Sequence, residues 1–259
     1  MDVEKYLRRI QYRGSSQPTA ATLRDLHRQH LYTVPFENLD IALGVSIRLD
    51  LDSLFEKVVT HRRGGFCYEL NGLFCGLLRA MGFRVQMLSA RVRNADGIYG
   101  PEFDHMLLKV GIEDSWLADV GFGESFVDPL PLRSGAMTHE DGHRYSVLFA
   151  EGQWQLMRHE ENSENPLYIF RDVPRSLQEY EGMCVYHQTS PDSHFRKNRV
   201  CSLATRDGRV TLSSKRLIVT RNGRREESML NGENELRQCL NERFGIALDS
   251  TTDLSGLTL

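Results

Sequence analysis

Apolar residues recur at helical spacing through the first eighty positions and closer to every second position beyond them. In residues 2–12, Val3, Tyr6, Leu7 and Ile10 share one helical face, and Asp2 stands where it can cap the start. Gly14 to Pro18 reads as a turn. Thr19 then caps a second helix with Leu23, Leu26, His30 and Leu31 on its apolar face. His27 and His30 on that helix read as surface or partly buried side chains rather than ligands, because no third ligand is near. A third helix begins at Asp50 or Asp52, turns Leu54, Phe55, Val58 and Val59 inward, and stops at Gly64-Gly65. Cys67, Leu70, Phe74, Leu77, Leu78 and Met81 form the stripe of a fourth, running on to Gly82. Between the second and third helices, Pro35 pushes Val34 out of the helical region. Val34-Pro35-Phe36-Glu37-Asn38-Leu39-Asp40 therefore reads as a connecting loop, with Phe, Glu and Asn in succession able to line a pocket.

From Phe83 the period shortens. Strands are expected at Arg84 to Arg93, His105 to Val110 and Ser115 to Val120. Tyr145 to Ala150 and Gln153 to Met157 form a hairpin across Glu151-Gly152, and Leu167 to Phe170 is a further strand. Short, closely spaced strands suggest a small antiparallel barrel or sandwich. Ser176-Leu177-Gln178-Glu179 is a capping box and marks a helix start. Strands return at Val200 to Thr205, Val210 to Ser213 and Arg216 to Thr220, with turns at Asp207-Gly208 and Asn222-Gly223. A last helix over Glu233 to Phe244 presents Leu236, Cys239, Leu240 and Phe244 on one side, and Gly245 ends it.

Length and charge narrow the classes. The 259 residues are 40% apolar with a formal net charge of -3, enough for a sizeable core. Lys and Arg form no run, so no nucleic-acid partner is expected. The charged opening Met1-Asp2-Val3-Glu4-Lys5 leads us to expect no signal peptide, and no membrane-spanning stretch is expected either. Five widely spaced cysteines in a chain of this size fit reduced thiols in the cytoplasm. Cys67 and Cys75 are too far apart for a zinc-type C-x2-4-C pair, and no metal is expected.

The candidate chemistry starts at Cys67. A cysteine on the first turn of a helix meets unpaired backbone N–H groups and the positive dipole end, which favour the nucleophilic thiolate. A thiol nucleophile needs a base. Of nine histidines, His105 alone opens an apolar strand, His105-Met106-Leu107-Leu108-Lys109-Val110, and Asp119 ends the next. With a Gly111-Ile112-Glu113 loop, Val110 faces Asp114, Leu107 faces Leu117 and His105 faces Asp119. Opposed Cβ atoms then lie about 4.5–5.5 Å apart. A turn centred on Glu113-Asp114 sends the two to opposite faces. Both registers fit the sequence. The glycine, and the chemistry it would explain, favour the first. Cysteine, histidine and acid together are the logic of an activated thiol, although the protease signature C-G-[SA]-C-[WY] is absent here.

Arg62-Arg63-Gly64-Gly65-Phe66-Cys67-Tyr68-Glu69 resembles the R-x-G-G-x-C-x-E motif of arylamine N-acetyltransferases. Pro35-Phe36-Glu37-Asn38-Leu39 resembles the family's PFENL loop, His105-Met106 its histidine strand, and Asp119-Val120-Gly121-Phe122-Gly123 its D-x-G-F-G segment. Ser190-Pro191-Asp192-Ser193-His194-Phe195 is also similar, while the C-terminal third matches least.

This resemblance implies an α+β fold in three parts, with the triad arranged as in cysteine proteases. Residues 1–82 would form a helical bundle carrying the nucleophile, 83–189 an antiparallel β-barrel carrying His and Asp, and 190–259 an α/β lid. It implies a catalytic triad of Cys67, His105 and Asp119. It also implies ping-pong acetyl transfer from acetyl-CoA to arylamines, arylhydrazines or N-hydroxyarylamines through an acetyl-cysteine thioester, in xenobiotic metabolism. Phe36 and Phe122 match aromatic positions of the acceptor pocket. Gly121 and Gly123 would let backbone approach the pantetheine arm and Phe195 would pack on it. Arg63 and Glu37 match a charge pair tying the cysteine segment to the PFENL loop. The segment Gly100-Pro101-Glu102-Phe103-Asp104 departs from the pattern, since two carboxylates are unusual beside a phosphate-bearing cofactor. Three other readings stay open: a macrolactam-forming amide synthase of the same family, a thiol hydrolase or transglutaminase-like enzyme, and a binder in which Cys67 is inert.

Overall fold

A computed structural model of the chain describes residues 1–140, 143–161, 163–254 and 256. The helical part comprises α1 (Val3–Arg9), α2 (Ala20–Thr33), α3 (Leu39–Leu43), α4 (Leu51–Phe55) and α5 (Cys67–Ala80), with a π-helical turn at Glu56–Thr60 and a two-residue strand β1 (Phe36–Glu37). Three starts are capped by side chains that accept the orphan N–H groups of the first turn. Asp2 accepts from Lys5 N at 2.9 Å, Thr19 from Thr22 N at 3.2 Å, and Asp50 from Ser53 N at 2.8 Å.

An eight-stranded antiparallel sheet follows: β2 (Arg84–Val92), β3 (His105–Gly111), β4 (Ser115–Ala118), β5 (Leu130–Pro131), β6 (Met137–Glu140), β7 (His143–Ala150), β8 (Gln153–Glu160) and β9 (Ser163–Arg175). The spatial order is β5-β4-β3-β2-β9-β8-β7-β6, and β5 also lies against β7, so the sheet nearly closes. Alternation along β2 to β4 divides the core. Val85, Met87, Met106, Leu108, Val110 and Ala118 pack on the helices. Leu88, Ala90, Leu107 and Leu117 point into the barrel with Phe126, Tyr145 and Tyr168.

A 3-10 turn (Leu177–Tyr180) and α6 (Glu181–Thr189) return the chain to the helical part, where Leu177, Tyr180 and Cys184 join its core. The end consists of α7 (His194–Lys197), β10 (Val200–Thr205), β11 (Gly208–Ser213), β12 (Arg216–Arg221), β13 (Arg224–Met229) and α8 (Glu233–Phe244). These last strands form a meander with β1 at one edge.

The structure departs from the sequence reading at the segment after Pro35. Phe36 and Glu37 are not a loop but an edge strand, pairing with Ser202 and Cys201 of β10. Phe36 also bridges in parallel to Gly65. Asn38 extends the seam by donating to the carbonyls of Phe195 (3.1 Å) and Asn198 (2.7 Å). Seven residues that interrupt the helices thus join the helical part, the cysteine segment and the C-terminal sheet. No helix among the described residues is long and apolar enough to cross a membrane.

Candidate active site

Two glycines bring the cysteine segment onto β1. A Cβ at Gly64 would lie 2.0 Å from the Pro35 carbonyl oxygen, so only glycine allows this approach. Arg63 Nε then donates to Glu37 Oε1 (3.0 Å) and its Nη2 to Asp40 (2.7 Å). The Arg63–Glu37 pair expected from sequence is part of a larger cluster. Lys57 bridges Asp40 and Glu69, both at 2.7 Å, and Glu69 accepts the Phe66 N–H at 3.1 Å. Burial pushes the Glu69 carboxyl up to about 7, against the pull of Lys57.

Cys67 opens α5 and is 2% exposed. Burial pushes its thiol well above the ordinary value. A backbone hydrogen bond from Met106 pulls it down, and the carboxylates of Asp119 and Asp104 push it up again. Desolvation therefore outweighs the helix start that sequence reasoning invoked.

His105 Nε2 and Asp119 Oδ2 are 2.7 Å apart, both buried. Their register differs from the expected one. Gly111 pairs with Ser115 and Val110 with Trp116, so the turn is Ile112 to Asp114 and the ladder is shifted by two residues. A shift of two keeps every side chain on its face. Asp119 consequently meets His105 diagonally, from just beyond the end of β4.

Asp119 holds four donors. Oδ2 accepts from His105 and from the Tyr168 hydroxyl (3.1 Å); Oδ1 accepts from Asn71 Nδ2 (2.9 Å) and the Gly121 N–H (3.0 Å). Burial raises the Asp119 carboxyl, but His105 and these hydrogen bonds outweigh it and hold it below the usual range. Asn71 also donates to the Met106 carbonyl (2.7 Å) and accepts the Val120 N–H (3.0 Å). It stands one turn after Cys67 on α5, so a polar residue in an otherwise apolar stripe was its available sequence signal. Tyr168, inside a continuous β9, gave no such signal.

The remaining expected residues divide. Phe122 packs edge-on to His105 and to Tyr168, each at 5.1 Å between centroids. Phe36 is buried, and its ring lies 3.3 Å from where a Cβ on Gly123 would stand. Gly123 has φ +84, a left-handed value that favours glycine. A Cβ on Gly121 would lie 2.7 Å from Cys67 Cα, so its missing side chain makes room for the cysteine itself. Phe195 packs edge-on to Phe66 at 5.5 Å and tilted on Phe36 at 6.2 Å. The two unusual carboxylates turn onto β2: Glu102 accepts from Ser89 Oγ (3.0 Å) and Asp104 from Val92 N (3.3 Å). His27 and His30, read as surface or partly buried, are 0% exposed; both face the core against Phe74. Among the described residues, no group of three or more His, Cys, Asp or Glu side chains converges as a metal site.

The profile of the N-acetyltransferase family matches residues 19–253. The chain belongs to the arylamine N-acetyltransferase family. The arylamine N-acetyltransferase of Mycolicibacterium smegmatis is 34% identical over 99% of this chain and 94% of its own. Human arylamine N-acetyltransferase 1 is 33% identical, covering 96% and 95%. The solved arylamine N-acetyltransferase of Salmonella typhimurium superposes with a TM-score of 0.91 at 31% identity, over 99% of this chain and 95% of that one. The Mycobacterium marinum arylamine N-acetyltransferase in complex with CoA gives 0.91 at 31%, over 99% and 97%. As a member of the arylamine N-acetyltransferase family, the protein is an acyltransferase, and its fold is α+β with a nearly closed eight-stranded sheet.

Proposed function

We propose that this acyltransferase moves an acetyl group from acetyl-CoA to arylamine nitrogen by a ping-pong route through Cys67, His105 and Asp119. The observation that carries the reading is the buried His105–Asp119 hydrogen bond, whose acid is also tied through Asn71 to the helix that Cys67 opens. With Nε2 on Asp119, His105 has Nδ1 left for proton exchange. It takes the Cys67 proton, and the thiolate attacks the acetyl-CoA carbonyl. Backbone N–H groups at the α5 start stabilise the oxyanion. The CoA sulfur leaves with the proton from His105. The amine then attacks the acetyl-cysteine, His105 accepts its proton, and the Cys67 sulfur is released as the amide departs.

Phe122 and Phe36 supply apolar walls for the aromatic acceptor. For CoA, Gly121, Gly123 and Phe195 remain the proposed contacts near the thioester. A cleft of about 580 Å³ runs from Glu124 along the turns of the C-terminal sheet, and Arg206, Arg209 and Arg225 line it. Those guanidiniums suit the cofactor phosphates. All five cysteines are free and buried, which supports the cytoplasm as the compartment.

Intact-protein mass spectrometry tests the route. Mixing with acetyl-CoA should add one acetyl group, on Cys67, and release one CoA; an arylamine should then remove that group as the arylamide. Cys67→Ser should keep the fold and lose the label. Acetylation at Cys75, Cys184, Cys201 or Cys239 instead would overturn the assignment.

A further inference from the structure

β4 leaves its ladder one residue before the carboxylate. Ala118 is the last residue paired with β3, opposite Leu108. The N–H groups that follow are buried and need acceptors from elsewhere. Val120 N–H finds one in Asn71; Asp119 N–H finds one on α2, donating to His27 Nε2 at 3.0 Å. The other ring nitrogen, His27 Nδ1, lies 2.6 Å from the Val127 carbonyl oxygen. An amide N–H can only donate and a carbonyl can only accept. The two contacts therefore admit a single protonation state, the neutral imidazole with its proton on Nδ1. The ring is clamped in place, stacked on Phe126 at 5.7 Å with 9° between planes and edge-on to Phe74 at 6.1 Å.

We propose that His27 is a positioning residue of the triad: it fixes the backbone of Asp119, and so the direction in which that carboxylate meets His105. The proposal rests on the reading of Cys67, His105 and Asp119 given above. His27 touches neither the thiol nor the imidazole, and acts only through Asp119. Burial pushes its pKa down to about 4, against the Val127 carbonyl and the charges of Asp119 and Asp128. The neutral state that the hydrogen bonds demand therefore persists near neutral pH. Protonation would turn Nε2 into a donor facing the Asp119 N–H, and the anchor would become a repulsion.

The test measures alkylation of Cys67 by iodoacetamide against pH, followed at its own peptide, together with kcat and KM for acetyl-CoA. His27→Phe keeps the packing and removes the acceptor. It should slow alkylation and kcat about tenfold, the effect of losing one buried hydrogen bond. It should also shift the pH profile, with KM unchanged. His27→Gln, whose amide oxygen can take the Asp119 N–H, should recover most of the loss. Asp119→Asn separates the two readings. If it suppresses Cys67 reactivity while His27→Phe follows the unmodified enzyme at every pH, His27 only packs and the proposal fails while the triad stands. If Asp119→Asn leaves the profile unchanged, the triad reading falls and takes this one with it. Should His27→Phe not fold, nitrogen NMR of the unmodified protein decides. Shifts of a neutral Nδ1–H imidazole at His27 from about pH 5.5 to 8 are expected, and an Nε2–H tautomer or a cation there overturns the proposal.

Discussion

Asn71 Nδ2 lies 2.9 Å from Asp119 Oδ1, one helical turn beyond Cys67 on the same helix. The contact makes α5 a carrier of more than the thiol. Asn71 also holds the Met106 carbonyl, and it reaches Asp119, the acid of the proposed triad. Replacing Asn71 with Ala would strand the Met106 carbonyl, the Val120 N–H and one lone pair of Asp119 in a dry interior. Loss of about 2–3 kcal/mol of stability is expected, with Cys67 alkylation slowed. Urea unfolding and thiol labelling measure the two. An Asn71→Ala protein as stable and as reactive as its parent would show that water replaces the amide without cost.

Phe122 touches His105 and Tyr168, so it can act on the acceptor or on the triad. In the proposed ping-pong route the first half-reaction never meets the arylamine. If Phe122 is an acceptor wall, Phe122→Ala should change the ranking of arylamines severalfold while the rate of acetyl-enzyme formation stays close to that of the parent. Stopped-flow release of CoA and steady-state rates with small and large arylamines separate the steps. Equal losses in both would assign Phe122 to support of His105.

Much of this arrangement was legible in the chain. Helix faces, caps and the hairpin at Glu151-Gly152 depend on neighbours within a few residues, and they stand where the periodicity places them. The His105 strand and its face were legible for the same reason, because a register wrong by two still sends each side chain to the correct side. What was not legible depends on contacts distant in sequence. β1 is two residues long and exists because β10 pairs with it from far along the chain. The burial that raises the Cys67 thiol comes from packing that no local pattern reveals. His27 read as a surface or partly buried side chain, and its partners Asp119 and Val127 lie about a hundred residues away.

Gly121 offers a steric test. Its Cα sits where a side chain would meet Cys67 Cα and Asn71 Nδ2, both at 2.7 Å, and neither is the loose end of a flexible chain. Gly121→Ala must push the Asp119 segment off α5 or displace Asn71. A cost of about 1–3 kcal/mol is expected, as for other overpacked interiors, and turnover should fall further because the acid moves relative to His105. Thermal unfolding and kcat check this. Full activity in Gly121→Ala would mean that the segment has slack absent from the structure.

Acid sensitivity follows from the buried histidines. Burial holds His27 and His187 down to about 4, and it holds His30 well below its ordinary value, with Arg9 and His27 adding to the effect. Each is neutral when folded and protonated when unfolded at pH 5–6, so the unfolded chain binds more protons there. Their contribution is complete above about pH 6.5 and is lost as pH falls towards 4. Glu69 works the other way. Its folded value is raised to about 7, so its contribution is greatest below the unfolded value and is lost as pH rises through 7. Asp119 and Asp40 are depressed, and they matter only at lower pH, below the ordinary carboxylate value. Three histidines against Glu69 and the likewise raised Asp104 leave a difference of about one to two protons near pH 5.5, a slope on the order of 1–3 kcal/mol per pH unit. The midpoint of urea unfolding should therefore drop steeply between pH 6.5 and 5, in the direction opposite to what Glu69 alone would give. His30→Gln removes one of the three titrations and should make the drop shallower by about 1 kcal/mol per pH unit. His30 is the informative choice because its ring reaches Tyr6 and Phe74 and not the triad. A slope in His30→Gln equal to that of the parent would mean that His30 is charged in the folded protein, its Nδ1–H donating a hydrogen bond to the Tyr6 hydroxyl oxygen.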